Sequence, residues 1–453
     1  MKTYVNLLEG KILPALSALA LPIMATSFIQ MAYNLTDMIW IGRIGANAVA
    51  SVGAAGMFMW LSNGLATLAK MGGQIKVGQS LGAQKHKDAS MYAQSAIQMG
   101  IAFAIIFSFL SIVFSHQMIA FFHLNSAKVI EDARIYLMIT CGLVIFSFMN
   151  QILTGIMTAM GNSRISFQVT AIGLVLNIVL DPLFIFGFGF IPPMGVSGAA
   201  IATVFAQFMV FVLFLFSIRK DTLVFHEVHV FSNFHTKQGK EIFIIGLPTA
   251  LQSMLFSSIS MFIARMIAGW GDGAVAVQKI GSQIESISWM SAEGYAAALN
   301  SFVAQNYGAG KSERIKQGFH VSVGVMLGWG VFTTCLLFFF PQAIFHIFLN
   351  DEQVLPLGVD YLRILAISQA FMCLEYAAAG CFNGLGKTLP PSFVSVTLTA
   401  IRIPLAYVFS QFIGLNGIWW AITVSSILKG IVLFLWFVIK AKNPAYLKKT
   451  VEA

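Results

Sequence analysis

Charge is scarce in this chain. Only 10% of its residues are Asp, Glu, Lys or Arg, while 58% are hydrophobic and the mean hydropathy is +0.81. Soluble domains usually carry about 25% charged residues, so a water-soluble enzyme with a large core is excluded. Cysteine is thin as well. The four present (Cys141, Cys335, Cys373, Cys381) fall in apolar runs without metal-ligand spacing to histidine, and read as buried free thiols. HExxH and aspartate-rich metal motifs do not occur. That argues against an intramembrane prenyltransferase or protease and assigns no catalytic residue. The first apolar run is too long for a cleavable signal peptide and no small-residue cleavage site follows it, so the first helix is expected to be retained.

What the chain has in quantity is apolar stretches of roughly 20 residues, each able to cross a ~30 Å hydrocarbon layer as a helix. Breakers and hydropathy predict twelve: 12–34, 48–70, 91–115, 133–157, 166–190, 195–218, 241–268, 275–300, 317–339, 357–381, 390–413 and 416–440. Basic residues then sort by loop. Lys2, Lys11, Lys76, Lys85, Arg164, Arg219, Lys220, Lys237, Lys311, Lys387, Lys442 and Lys449 fall on one side; the other has mainly Arg43, Lys128, Arg134 and the acidic loop at Asp351 and Glu352. The positive-inside rule places both termini in the cytoplasm of an inner-membrane protein. The formal charge of +9 is thus spread over alternate loops and does not call for nucleic acid.

The chain also repeats itself. Residues 21–85 align without a gap on 247–311, 226 positions later. Leu21-Pro22 matches Leu247-Pro248, and Gln79, Gly82, Ala83 and Lys85 match Gln305, Gly308, Ala309 and Lys311. Gly195 and Gly198 are echoed by Gly414 and Gly417. The expected fold is therefore an all-α polytopic membrane protein, with twelve transmembrane helices in two six-helix bundles related by pseudo-two-fold symmetry. The boundaries read as 1–220 for the N-terminal bundle, 221–240 for a polar cytoplasmic linker and 241–453 for the C-terminal bundle.

The 6+6 repeat, the Q-x-x-G-A-x-K loop at Gln79–Lys85 and its copy, and N-x-x-x-D-P at Asn177–Pro182 together resemble the MATE (multidrug and toxic compound extrusion) family of cation-coupled exporters. Asp37 with Asn177 and Asp181 looks more like the DinF-type members. NorM-type members usually have a glutamate mid-way along the seventh helix, where this chain reads LQSMLFSSISMFIARM. The resemblance implies a V-shaped pair of bundles, a central cleft, and a cation site at Asp37, Asn177, Asp181 and Thr203.

The residues themselves point to the same place. Asn177 and Asp181 are i and i+4, on one helix face. Pro182 follows and leaves a carbonyl of the preceding turn without its donor. A carboxylate inside hydrocarbon costs about 2.5–3.5 kcal/mol by insertion scales, so Asp37 and Asp181 need a partner. No lysine or arginine lies between Ile12 and Asn34, Ile165 and Phe190, or Gly195 and Ile218, which favours a cation or a proton. Asp37 alternatively reaches water by snorkelling from near its helix end. Oxygen ligands suit Na+, a desolvated carboxylate suits H+, and the residues fit both. No other cofactor is expected.

The second half drops the acid, having Ile263 where the first has Asp37 and Ser260 where it has Asn34. It offers instead Glu285 and Glu293, roughly two turns apart on a similar face, and Glu375. These acids attract a cationic substrate, or else pair with Arg265, Lys279, Arg402 or Lys429. With Asn34, Trp289 and Tyr295 they form the expected cleft lining. The functional expectation is a monomeric exporter of amphipathic, cationic small molecules. A flippase or exporter of lipid-linked or polysaccharide precursors is the alternative within transport, disfavoured because the first six helices have no basic residue away from their ends.

Overall fold

The computed structural model describes residues 4–122, 124, 126–189, 191–219, 221–347 and 354–448. The acidic loop at Asp351 and Glu352, and Lys2, Lys220 and Lys449, lie outside the described residues. The first half contains α1 (Ile12–Ile44), α2 (Ala46–Gly82), α3 (His86–Val113), α4 (Ser115–Ala120), α5 (Ala127–Gly142), α6 (Ile145–Ala159), α7 (Ser163–Phe186) and α8 (Gly195–Ile218). The second contains α9 (Thr236–Ala268), α10 (Asp272–Gly308), α11 (Ser312–Phe339), α12 (Pro341–His346), α13 (Leu355–Ala366), α14 (Gln369–Gly384), α15 (Leu389–Ala400), α16 (Arg402–Ile413) and α17 (Leu415–Ala441).

Among the described residues, nine spans are long and apolar enough to cross a bilayer, and eleven if each of two bent pairs counts as one. The twelfth expected helix is α10. Its 37 residues give ample length, but Lys279, Glu285, Glu293 and several serines make it less apolar than its neighbours. α1 runs ten residues past the expected end at Asn34, because nothing interrupts it before Gly45, whose φ of +134° only glycine adopts readily. Asp37 therefore sits in the helix body and not beside its end, which removes the snorkelling alternative's starting point.

The repeat continues into details that the aligned residues alone do not cover. α2 and α10 are both 37 residues long, α3 and α11 both 28, and α4 and α12 both 6. The expected spans at 133–157 and 357–381 are each bent by 44°, between α5 and α6 and between α13 and α14. A bend frees helix-terminal carbonyls, and in each half a hydroxyl reaches one or two of them. Ser108 Oγ of α3 donates to Cys141 O at 3.1 Å and Gly142 O at 2.7 Å. Thr334 Oγ1 of α11, 226 positions later, donates to Ala366 O at 2.9 Å. The last pair of spans differs. α7 is continuous across Pro182, whereas its counterpart breaks at Ile401. Pro404 has no N–H for the carbonyl of Ala400, where α15 ends.

The chain forms two compact units, one of Ala25–Ala250 with the residues up to Val5, the other of Asn6–Met24 with Leu251–Ala453. These limits differ from 1–220, 221–240 and 241–453 because α1 and α9 each run unbroken from one unit into the other, which hydropathy cannot register. The start of α9 is held in the first unit by Lys76 Nζ and the Tyr92 hydroxyl, both donating to Glu241 Oε2 at 2.5 and 2.6 Å. The chain before α1 is held in the second unit, where Arg314 donates to the carbonyls of Leu7, Glu9 and Gly10. Nor is 221–235 a loose connector. Asp221 Oδ2 accepts from the backbone N–H of Val224 and Phe225, and Ser90 Oγ of α3 donates to Val224 O at 2.8 Å.

Glycines set the helix spacing of the second unit. A Cβ on Gly384 of α14 would lie 2.6 Å from the carbonyl oxygen of Asn300 on α10, and one on Gly380 would lie 2.9 Å from that of Ala296. Gly155 likewise meets the Lys70 carbonyl. Gly161 and Gly386 are turn residues with φ of +83° and +76°. Gly384→Ala must push α14 off α10, and overpacking of this kind costs about 1–3 kcal/mol. Thermal unfolding of the detergent-solubilised variant should show a lowered midpoint; an unchanged midpoint would mean that the contact yields without strain.

Candidate cation-coupling site

In the first unit, four helices bring one set of polar side chains together inside the apolar packing. α7 contributes Asn177 and Asp181, which are 2% and 0% exposed. Their i, i+4 spacing lets Asn177 Nδ2 donate to Asp181 Oδ1 at 2.9 Å. Asp181 Oδ2 is buried and accepts no hydrogen bond. α1 contributes Asp37, half-buried, whose Oδ1 is also buried without a donor. Asp37 and Asp181 lie within electrostatic reach of each other. Trp40 and Phe186, with ring centroids 6.2 Å apart, fix this end of α1 against α7.

α8 supplies Thr203, buried, with its Oγ1 3.5 Å from the Tyr33 hydroxyl of α1. Tyr136 of α5, also buried, stands in the same electrostatic neighbourhood as Asp37, Asp181 and Thr203. No basic side chain is among the groups acting on Asp37 or Asp181 among the described residues. The cluster therefore offers two carboxylates with orphaned buried oxygens, an amide, a hydroxyl and two phenols. The atoms able to ligate a cation are all oxygens, since a neutral amide ligates through Oδ1 and not Nδ2, and oxygen ligands suit a hard cation. Each orphaned oxygen equally suits a proton. Asn177 Nδ2 and the phenols can stabilise whichever oxygen stays ionised.

The four residues expected to couple a cation are thus brought together, and Tyr33 and Tyr136 join them. Tyr33 was legible in principle, one turn before Asp37 on the same face; Tyr136 carries no such signal. Asn34 points elsewhere, exposed and accepting from Gln30 Nε2 at 3.2 Å.

The second unit has a different cluster. Glu375 of α14 pairs with Lys429 of α17 at 3.3 Å. Glu285 of α10 accepts from Gln369 Nε2 at 3.0 Å and lies within electrostatic reach of Arg402 and Lys429. Arg402 itself, 8% exposed, donates to the hydroxyls of Ser425 and Ser426. Glu293 is exposed and Glu285 is not, because eight residues leave a rotation of about 80° along a helix. Trp289 is half-buried and Tyr295 buried on α10, while Arg265 and Lys279 are exposed.

The family model described as MatE matches the chain twice, over residues 22–183 and 248–408. The chain belongs to the MatE family. The two matches open on Pro22 and Pro248, so both copies of the internal repeat carry the MatE pattern. The chain is 28% identical over 437 residues to the probable multidrug resistance protein NorM of Thermotoga maritima, covering 92% of this chain and 90% of that one. It is 25% identical over 443 residues to an FAD transporter of Shewanella oneidensis, covering 96% of each. Its fold matches an outward-facing multidrug resistance MATE family transporter of the MOP superfamily with a TM-score of 0.91, at 22% identity and over 98% and 99% of the two chains.

An unpaired buried carboxylate destabilises the fold that holds it. Asp181→Asn removes the charge, whose burial costs about 2.5–3.5 kcal/mol on the insertion scales, and keeps the shape, so in buffer poor in alkali cations it should raise the melting midpoint of purified protein. A lowered midpoint would show that Asp181 serves to hold helices together.

Proposed function

We propose that this MatE-family chain is a secondary active multidrug efflux transporter, exporting amphipathic, cationic organic compounds in exchange for H+ or Na+ by alternating access. The observation that carries this reading is the pair of half-buried Asp37 and buried Asp181, within electrostatic reach of each other, each with an orphaned buried oxygen and, among the described residues, no basic partner. Asn177 and Thr203 complete the coupling site, and the first unit is read as the coupling lobe. A group that holds two acids without a fixed counter-charge changes its charge state whenever a cation or proton arrives. Differential binding of that ion to two conformations is what couples it to a second ligand. The similarity to the Thermotoga protein supports drug-like substrates.

Within the family, Asp37, Asn177 and Asp181 and the lack of a glutamate mid-way along the seventh expected span, 241–268, favour a DinF-type affinity, although the Thermotoga relative bears the NorM name. The loop charge bias supports an inner-membrane location with both termini cytoplasmic. Both repeats lie in one chain, which supports a monomer. Glu293, Trp289, Tyr295 and Asn34 are read as substrate contacts, Glu285 and Glu375 as parts of the charged network of the second unit.

Asp37→Asn and Asp181→Asn should each abolish ion-gradient-driven uptake of ethidium into inverted vesicles, with expression and folding retained. Wild-type uptake in both variants overturns the coupling role. In a pump-deficient bacterium the native chain should raise resistance to ethidium. Unchanged resistance across cationic and zwitterionic toxins would turn the reading towards an anionic or lipid-linked cargo. A cysteine placed near the C-terminus should be labelled by impermeant maleimide only after the membrane is opened; labelling of intact cells would reverse the topology.

A further inference from the structure

We propose that Lys429 is a built-in cation, its ammonium standing in the second unit where the first unit leaves its acids to an exchanging ion, so that Glu375 takes no coupling ion. The inference deepens the reading of the chain as cation-coupled and rests on it for its meaning, but its test reads stability and not transport.

The two units solve one electrostatic problem in different ways. In the first, Asp37 and Asp181 each have an orphaned buried oxygen and, among the described residues, no base acting on them. In the second, Glu285 and Glu375 share a buried region with Arg402 and Lys429, two acids with two bases. Lys429 Nζ lies 3.3 Å from Glu375 Oε2, with the side chains only 8% and 12% exposed. Arg402 is bonded directly only to neutral oxygens, Ser425 Oγ at 2.6 Å and Ser426 Oγ at 2.8 Å, and acts on Glu285 and Glu375 through space. Gln369 bonds Glu285 at 3.0 Å, again without charge. Lys429 is thus the one base in direct contact with an acid in this cluster, among the described residues.

A lysine ammonium is a compact point charge on a flexible stem, closer in character to an alkali cation than the planar guanidinium is. Unlike an ion, it cannot leave. A carboxylate paired with it is neutralised without an exchanging ion, so Glu375 adds nothing to ion stoichiometry. An ordinary structural ion pair would make no such statement, because it does not require that an ion can take the lysine's place.

The test is Lys429→Met, which keeps bulk and removes charge, beside Lys429→Met/Glu375→Gln. Melting midpoints of the purified full chain are measured in NaCl, in KCl and in N-methylglucamine chloride at equal ionic strength. The proposal expects Lys429→Met to gain a rise of several degrees in an alkali cation over wild type, and the double variant to lose that gain. Equal salt responses in wild type and Lys429→Met overturn it, and so does a gain that persists without Glu375. A Lys429→Met chain that accumulates in no growth salt overturns it too, since an ion then fails to replace the ammonium. Failure of Asp37→Asn to uncouple transport would leave these outcomes untouched, so the two readings fail separately.

Discussion

A carboxylate taken out of water must find a proton or a positive charge, and that constraint organises both units of this transporter. Helical hydrogen bonds and packing satisfy the backbone and the apolar side chains of the spans. They do not satisfy a charge. Around Asp181 the helix supplies an amide one turn away and a proline that withholds a backbone donor, yet one oxygen is still unpartnered. Around Glu375 a lysine supplies the charge outright. The same scaffold thus holds one cluster that is electrically incomplete and one that is complete, and incompleteness is what allows a site to respond to an ion.

The scaffold beneath these clusters is duplicated more faithfully than the clusters are. Equal helix lengths, matched bends of 44° and hydroxyls 226 positions apart that reach carbonyls at those bends all survive in both halves. A bent span leaves backbone groups that hydrocarbon cannot satisfy, so the capping hydroxyl is bound to the bend and must be kept with it. The acid on α1 is under no such bond. Ile263 replaces it in the second half, 5% exposed and packed into the core.

Much of this was legible in the sequence because charge is so rare in it. Asp37, Asn177 and Asp181 stood out against apolar surroundings, and the i, i+4 spacing of the last two matched their hydrogen bond. The sixth expected span, 195–218, coincides with the observed limits of α8, Gly195–Ile218. Tyr136 was not legible, since a tyrosine in an apolar helix is ordinary until its neighbours are known. The end of α1 was missed because Gly45 signals a stop only through its positive φ. The bends at Leu143 and Ile367 carry no proline to announce them. The limits of the compact units fall inside continuous helices, where composition does not change at all. Glu285 and Glu293 looked like neighbours by counting turns, but eight residues fall short of a whole number of them, and only one is enclosed.

Among the described residues no basic side chain acts on Asp37 or Asp181, and if these acids couple an ion, as proposed, that bears on voltage. Each acid neutralised by an incoming monovalent ion changes the charge of that region by one elementary unit. If the region then moves through part of the membrane field, the potential does work on it, up to ~2.3 kcal/mol per charge per 100 mV for the full thickness. The second cluster, with as many bases as acids, has no such handle. Membrane potential would therefore act on the cycle through α1 and α7, and the number of acids left bare in a given state would set how steeply the rate depends on it.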